Sequence, residues 1–368
     1  MKKTFTYIKL VKYFFFLIIL IFIFFYGVIV GVYQIFPYKK IQSLKRIFNS
    51  DERIKPEYYL DLAKDLNVIE LKGEELILIK NKLLEFLLPN KKIKVSFVDK
   101  DSKTRISTKY YGVSSNAILT KGNNSEKKCL LIYIQGHGGN PFNFDYHNKI
   151  LKDFNKNGCD VLSMSMLGRG LNKGLAIFPT RFGELKLKPN LEGNHGNYSF
   201  FFDANEPNLD PLSLFLYPHM EIIDAAIKKY KYNDISMVGI SGGGWYTTWL
   251  AALMPKIDKS IIYAGGMPFE FRIYGNMHGD WETVYSKIYD HVNYYNLFQM
   301  ALIDREGKKS REVYLIYNDE DSCCYSNPHA LALKTKINDN PNFPKIIIDK
   351  NKEHSMNSNL VISLLNKK

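Results

Sequence analysis

The sequence predicts an alternating α/β fold, a mostly parallel central sheet with helices on both faces, and three observations predict it. From Cys129 onward, short apolar runs alternate with segments of helical spacing. One of those runs, residues 235–240, breaks at a serine set among glycines, Gly239-Ile240-Ser241-Gly242-Gly243. The chain's 368 residues suffice for one large domain of this class with additions.

Residues 13–38 carry no charged side chain, and residues 14–25 are continuously apolar. About 20 apolar residues cross a hydrocarbon layer of about 30 Å, so this stretch is expected to be a transmembrane helix. No A-x-A-like cleavage site follows it, which favours an anchor over a cleaved signal peptide. Tyr13, Tyr26, Tyr33 and Tyr38 suit interfacial positions. Lys2, Lys3, Lys9 and Lys12 before it nearly match Lys39, Lys40, Lys45 and Arg46 after it. The shortness of the tail, residues 1–12, makes tail inside and domain outside the expected orientation, with the catalytic domain extracytoplasmic.

Residues 39–91 mix charged and apolar residues at helical spacing and read as a helical neck. Residues 92–98 and 107–120 read as paired antiparallel strands with a polar turn at 99–103. Strands of the parallel sheet are expected at 130–134, 160–164, 235–240, 259–263, 312–317 and 345–349, with helices near 142–156, 212–230 and 246–254. Residues 175–218 and 265–309 are too long and irregular for simple connections and read as insertions, the first of them over the site. The main domain is thus expected over residues 92–368.

The formal charge of +13 is spread over lysines, with no arginine-rich arm and no zinc-ligand spacing, so no nucleic-acid partner is expected. An anionic membrane or glycan surface fits that charge equally well. Cys129 and Cys159 lie in apolar runs and read as buried, unpaired side chains. Cys323 and Cys324 read as packing residues, or as a vicinal disulfide if the domain lies in an oxidising compartment.

Gly239, Ser241 and Gly243 give the spacing G-x-S-x-G, in which glycines permit a sharp turn from strand to helix that lifts the serine hydroxyl clear of the sheet. Ser241 is the candidate nucleophile. Three further stretches matter: Gln135-Gly136-His137-Gly138-Gly139 after an apolar strand, Asn318-Asp319-Glu320-Asp321 after another, and His354 in a polar loop after the last.

Together these resemble the α/β-hydrolase superfamily, particularly its esterase and dienelactone-hydrolase-like members, over residues 92–368. In that family an H-G-x-G loop supplies one oxyanion N–H, and here Gln135 replaces its first histidine. The resemblance implies an oxyanion hole from the N–H groups of His137 and Gly242. It also implies an acid at the G-x-x-D position, with Asn318 replacing glycine. Asp321 fills that position, and Asp319 is the alternative. His354 is the candidate base, with His329 the second choice. The order Ser241, Asp321, His354 is that of the α/β hydrolases.

The implied activity is a membrane-anchored serine hydrolase cleaving a carboxylic ester through an acyl-enzyme, with an O-acyl group on a carbohydrate as the specific expectation. Asp280, Trp281 and Glu282, in the second insertion, are candidate substrate-binding residues. No metal or organic cofactor is required. A serine peptidase, an acyltransferase or an inactive binding module of the same fold are the alternatives.

Overall fold

The computed structural model describes residues 15–27, 63–64, 67–90, 92–123, 127–172, 176–180, 183–187, 210–272, 280–284, 287–321, 323–337 and 340–367. The chain divides into two compact units, Met1–Lys55 and Pro56–Lys368. In the first, residues 15–27 are helical, with Phe15, Phe22 and Phe24 among their exposed side chains. Among the described residues no helix is long and apolar enough to cross a membrane. Residues 13–14 and 28–38 of the expected span lie outside the described residues.

The second unit runs α1 (Gly73–Leu87), β1 (Val95–Lys100), β2 (Lys103–Tyr110), β3 (Val113–Thr120), β4 (Cys129–Gln135), α2 (Asp145–Lys156) and β5 (Asp160–Ser165). It continues through β6 (Ala176–Thr180), β7 (Gly183–Leu187), α3 (Ser213–Tyr230), β8 (Asp234–Ile240), α4 (Gly242–Leu253), β9 (Lys259–Tyr263) and α5 (Trp281–Val284). It closes with α6 (Tyr294–Leu302), β10 (Glu312–Asn318), α7 (Asn327–Ile337), β11 (Lys345–Asp349) and α8 (Ser358–Asn366).

Nine strands form one sheet in the order β1-β2-β3-β5-β4-β8-β9-β10-β11. The first three are antiparallel, β3 runs antiparallel to β5, and all pairs from β5 to β11 are parallel. Composition explains the difference. In β2 buried and exposed residues alternate, as one solvated face requires, whereas every residue of β4 and β5 is buried, as helices on both faces require. On one face Ile150 and Phe154 of α2 and Val361 and Leu365 of α8 join Leu131, Tyr133, Val238 and Ile261 in a single core. The alternate residues Leu130, Ile132 and Ile134 are also buried and face the other side. There α4, buried along its whole length, packs on β4, β8 and β9, with α3 and α6 against it.

Several elements differ from expectation. Within the 39–91 segment expected to be a helical neck, α1 buries Leu76, Leu83 and Leu87 and packs against α6 and α3. The strand expected over 107–120 is broken at Tyr111 and Gly112, whose φ values of 45° and 76° make a tight turn between β2 and β3. The insertion near 175–218 contains the β6–β7 pair, and residues 188–209 lie outside the described residues. The insertion near 265–309 contains the regular helix α6, started by Asn293, whose side chain accepts the Asn296 N–H. Cys129 and Cys159, expected unpaired, form a disulfide, because the parallel β4–β5 register brings Cys129 beside the start of β5, with Cα atoms 4.9 Å apart.

Candidate active site

The parallel strands direct their C-terminal ends to one edge of the sheet, where open α/β sheets carry their sites. At that edge β8 passes into α4 through Ser241, whose φ of 59° and ψ of −127° are strained for a residue with a side chain. Two contacts hold the turn: the Ser241 N–H donates to the Tyr263 carbonyl at 2.9 Å, and its carbonyl accepts the Trp245 N–H at 3.0 Å. The glycine spacing has a steric cause. A Cβ on Gly239 would lie 2.2 Å from the Gly243 carbonyl oxygen, and one on Gly243 would lie 2.0 Å from that of Ile134. Only bare backbone lets helix and strands approach so closely. Ser241 itself is partly exposed.

The loop after β4 runs beside this elbow. A Cβ on Gly136 would lie 2.9 Å from that of Ser241, and one on Gly242 would meet Met166 Sδ at 2.1 Å and His137 Cε1 at 3.1 Å. His137 and Gly242, the two residues expected to donate N–H groups, are therefore adjacent. Gln135 turns away into the core, where its Oε1 accepts the Tyr133 hydroxyl at 2.6 Å.

His137 Nε2 lies 3.2 Å from Asp280 Oδ2 and 3.8 Å from Glu282 Oε1. The Glu282 side chain is fully buried and that of Asp280 is 45% exposed. Both carboxylates thus reach His137 from the second insertion, while the Trp281 side chain lies outside the described residues. His137, Asp280 and Glu282 form a set able to ligate a cation. Their shortest contact is accounted for by the His137–Asp280 pair.

The acid and base candidates meet. His354 Nδ1 lies 2.9 Å from Asp321 Oδ2 and 3.0 Å from Oδ1. Asp321 also accepts the N–H groups of Cys323 and Cys324 at 2.7 and 2.9 Å. Its side chain has no exposed surface, and that of His354 is 23% exposed. Burial pushes the Asp321 carboxyl upward, but the His354 hydrogen bond and charge and the two backbone N–H groups outweigh it, so its pKa is lowered. The alternatives sit otherwise: the Asp319 N–H donates to the Asp349 carbonyl, extending the β10–β11 pairing, and His329 is buried in α7. No hydrogen bond joins the Ser241 hydroxyl to His354 in this conformation, and contacts of that kind often tighten only around substrate.

Cys323 and Cys324 are bonded to each other as a vicinal disulfide. Asn318, which in the sequence stands only as a replacement for glycine, is the last residue of β10, and its side chain lies between the loops that carry Asp321 and His354.

No family model and no curated protein matches the sequence. Among solved structures it resembles acetyl xylan esterase 1 from a Thermoanaerobacterium species, with 15% identity over 83% of this chain and 96% of that one, TM-score 0.49. It also resembles Est1E from Butyrivibrio proteoclasticus, with 14% identity over 74% and 95%, TM-score 0.40. A third is a carbohydrate esterase family 15 glucuronoyl esterase from Caldicellulosiruptor kristjansonii, with 14% identity over 80% and 82%, TM-score 0.47. Likeness of that degree bears on neither substrate nor activity. The assignment of fold rests on this chain's own features: the strand order with its single antiparallel junction to β5, the serine elbow between β8 and α4, and the acid and histidine following β10 and β11. By these, the chain has the α/β-hydrolase fold.

Proposed function

We propose that this protein is a serine hydrolase cleaving a carboxylic ester, with Ser241 as nucleophile, His354 as general base and Asp321 as its orienting acid. The observation that carries the reading is the Asp321–His354 pair, held at the same sheet edge as a strained, partly exposed serine. In the first half-reaction Ser241 Oγ attacks the ester carbonyl while its proton passes to His354 Nε2. Asp321 fixes the proton on Nδ1 and stabilises the imidazolium that results. The N–H groups of His137 and Gly242 take the developing oxyanion, each worth about 3 kcal/mol of barrier. Collapse breaks the bond to the alcohol oxygen, which leaves with the proton from Nε2. Water then attacks the acyl-enzyme, giving its proton to His354, and the carboxylic acid departs as Ser241 regains its own.

An O-acylated carbohydrate is the substrate class we favour. Asp280, whose side chain is 45% exposed beside the His137 loop, offers an acceptor for sugar hydroxyl groups. We also infer that residues 13–38 anchor the chain in a membrane with the hydrolase domain outside. The uncharged stretch supports the anchor, and the Cys129–Cys159 disulfide supports an oxidising compartment.

A fluorophosphonate probe tests the nucleophile: the full chain should label, and Ser241→Ala should not. Labelling that survives the substitution would remove Ser241 from the mechanism. A panel of acetylated sugars, longer acyl esters and peptides then tests the class, and cleavage of peptides alone would replace the esterase reading. Protease added to intact cells should digest the domain, and full protection would reverse the proposed orientation.

A further inference from the structure

Asn318 ends β10 and is fully buried. Its Nδ2 donates to the Glu353 carbonyl at 2.7 Å and the Ser355 carbonyl at 3.1 Å, and approaches Asp321 Oδ2 at 3.2 Å. Its Oδ1 accepts the Tyr263 hydroxyl at 2.8 Å. With acceptors crowded on one end and a hydroxyl donor on the other, only one orientation of the amide satisfies the site.

The two carbonyls belong to the residues on either side of His354. One amide therefore grips the base's loop from both flanks while touching the carboxylate that the base uses. The connection continues to the nucleophile. Tyr263, whose hydroxyl meets Asn318, is also the residue whose backbone carbonyl takes the Ser241 N–H. A glycine at position 318 would supply none of these bonds.

We propose that Asn318 is a positioning residue for the Asp321–His354 pair, fixing the acid and base loops in the geometry that proton transfer needs. The proposal rests on the reading of Ser241, Asp321 and His354 as a catalytic set. Misplacing a reacting group by about 1 Å can cost about 100-fold in rate, so a side chain that controls the placement of both loops should govern turnover. It touches no substrate, so KM should be insensitive to it.

The test compares Asn318→Asp and Asn318→Ala in the full chain, with Asp321→Asn and His354→Ala as controls. Aspartate keeps the shape but turns an oxygen toward three oxygens. Both Asn318 variants should lose about 10- to 100-fold in kcat with KM nearly unchanged. The far-downfield proton resonance of the His354 Nδ1–H···Asp321 bond should shift or vanish while the thermal transition remains cooperative. If either variant does not fold, Tyr263→Phe, which releases the anchor of Oδ1 together with the hydroxyl's contacts to Asp349 Oδ2 and the Asn357 N–H, should give a smaller loss in kcat, again at unchanged KM. Wild-type kcat and an unmoved resonance in folded Asn318 variants, or unchanged kcat in Tyr263→Phe where those do not fold, would overturn the positioning role. Full activity in the Asp321 and His354 controls would instead overturn the catalytic reading itself.

Discussion

Asp321 receives His354 Nδ1 with both carboxylate oxygens, at 2.9 and 3.0 Å, and two backbone N–H groups hold the carboxylate in place from behind. An amide in its place would present an NH₂ group or a single carbonyl to the ring and favour the wrong tautomer. Asp321→Asn should therefore lower kcat by about 10,000-fold with little change in fold. Steady-state kinetics on an ester that the wild type cleaves checks this, and a loss below tenfold would mean that another acid serves His354.

Ser241 sits in a backbone conformation that costs about 1–3 kcal/mol for a residue with a Cβ. Glycine reaches the same φ and ψ without that cost, although its greater freedom in the unfolded chain offsets part of the gain. Ser241→Gly should thus abolish hydrolysis yet raise the unfolding free energy by about 1 kcal/mol. Urea titration of the two proteins decides it, and a clear loss of stability would show that the hydroxyl, not the backbone, dominates there.

His147 and His219 are fully buried, and burial pulls both down to about 4 against weaker upward pulls from their hydrogen-bond partners. In the unfolded chain each titrates near its ordinary value of about 6.5. The unfolded state therefore binds more protons between these values, and stability is full above about pH 6.5 and falls as pH drops toward about 4. At pH 5 each histidine should cost about 2 kcal/mol relative to pH 7. Unfolding free energies measured across that range should fall. The slope should flatten in His147→Gln/His219→Gln, and a slope that persists there would assign the effect to other groups.

The parallel strands were legible because each is a short, mostly apolar run bounded by turn residues, and the elbow because its glycines are demanded by backbone approach at Gly239 and Gly243. Asp321 and His354 could be named as candidates from their places after β10 and β11, and the structure pairs them. What local sequence hides is contact between distant segments. Nothing near His137 announces Asp280, and Asn318 reads as a missing glycine until its amide is seen against Glu353 and Ser355. The aromatic-rich stretch containing α6 looked irregular although Asn293 and Asn296 form a reciprocal cap at its start. The Cys129–Cys159 bond follows from β4 and β5 lying side by side, a fact of sheet order rather than of either strand's composition.

That disulfide joins positions separated by 30 residues and closes a loop in the unfolded chain. Loop-closure entropy sets its contribution at about 3.5 kcal/mol. Cys129→Ala/Cys159→Ala should unfold at correspondingly lower urea concentration, with hydrolysis of a soluble ester unchanged because the bond lies at the opposite strand ends from Ser241. Equal stability in the presence and absence of a reductant would mean that the thiols are not joined in the folded protein.

Two neighbouring glycines should respond differently to the same added methyl group. On Gly243 it would press on the backbone of Ile134, at 2.0 Å from the carbonyl oxygen, and a central strand cannot withdraw. On Gly242 it would meet Met166 Sδ at 2.1 Å and Cε at 2.7 Å, atoms of a flexible side chain. Gly243→Ala should cost about 3 kcal/mol and disable the elbow, whereas Gly242→Ala should cost about 1 kcal/mol. Adding Met166→Ala should restore hydrolysis to Gly242→Ala, whose N–H is intact, and leave Gly243→Ala inactive. Rescue of neither variant would show that the methyl group at Gly242 blocks the oxyanion position directly rather than through Met166.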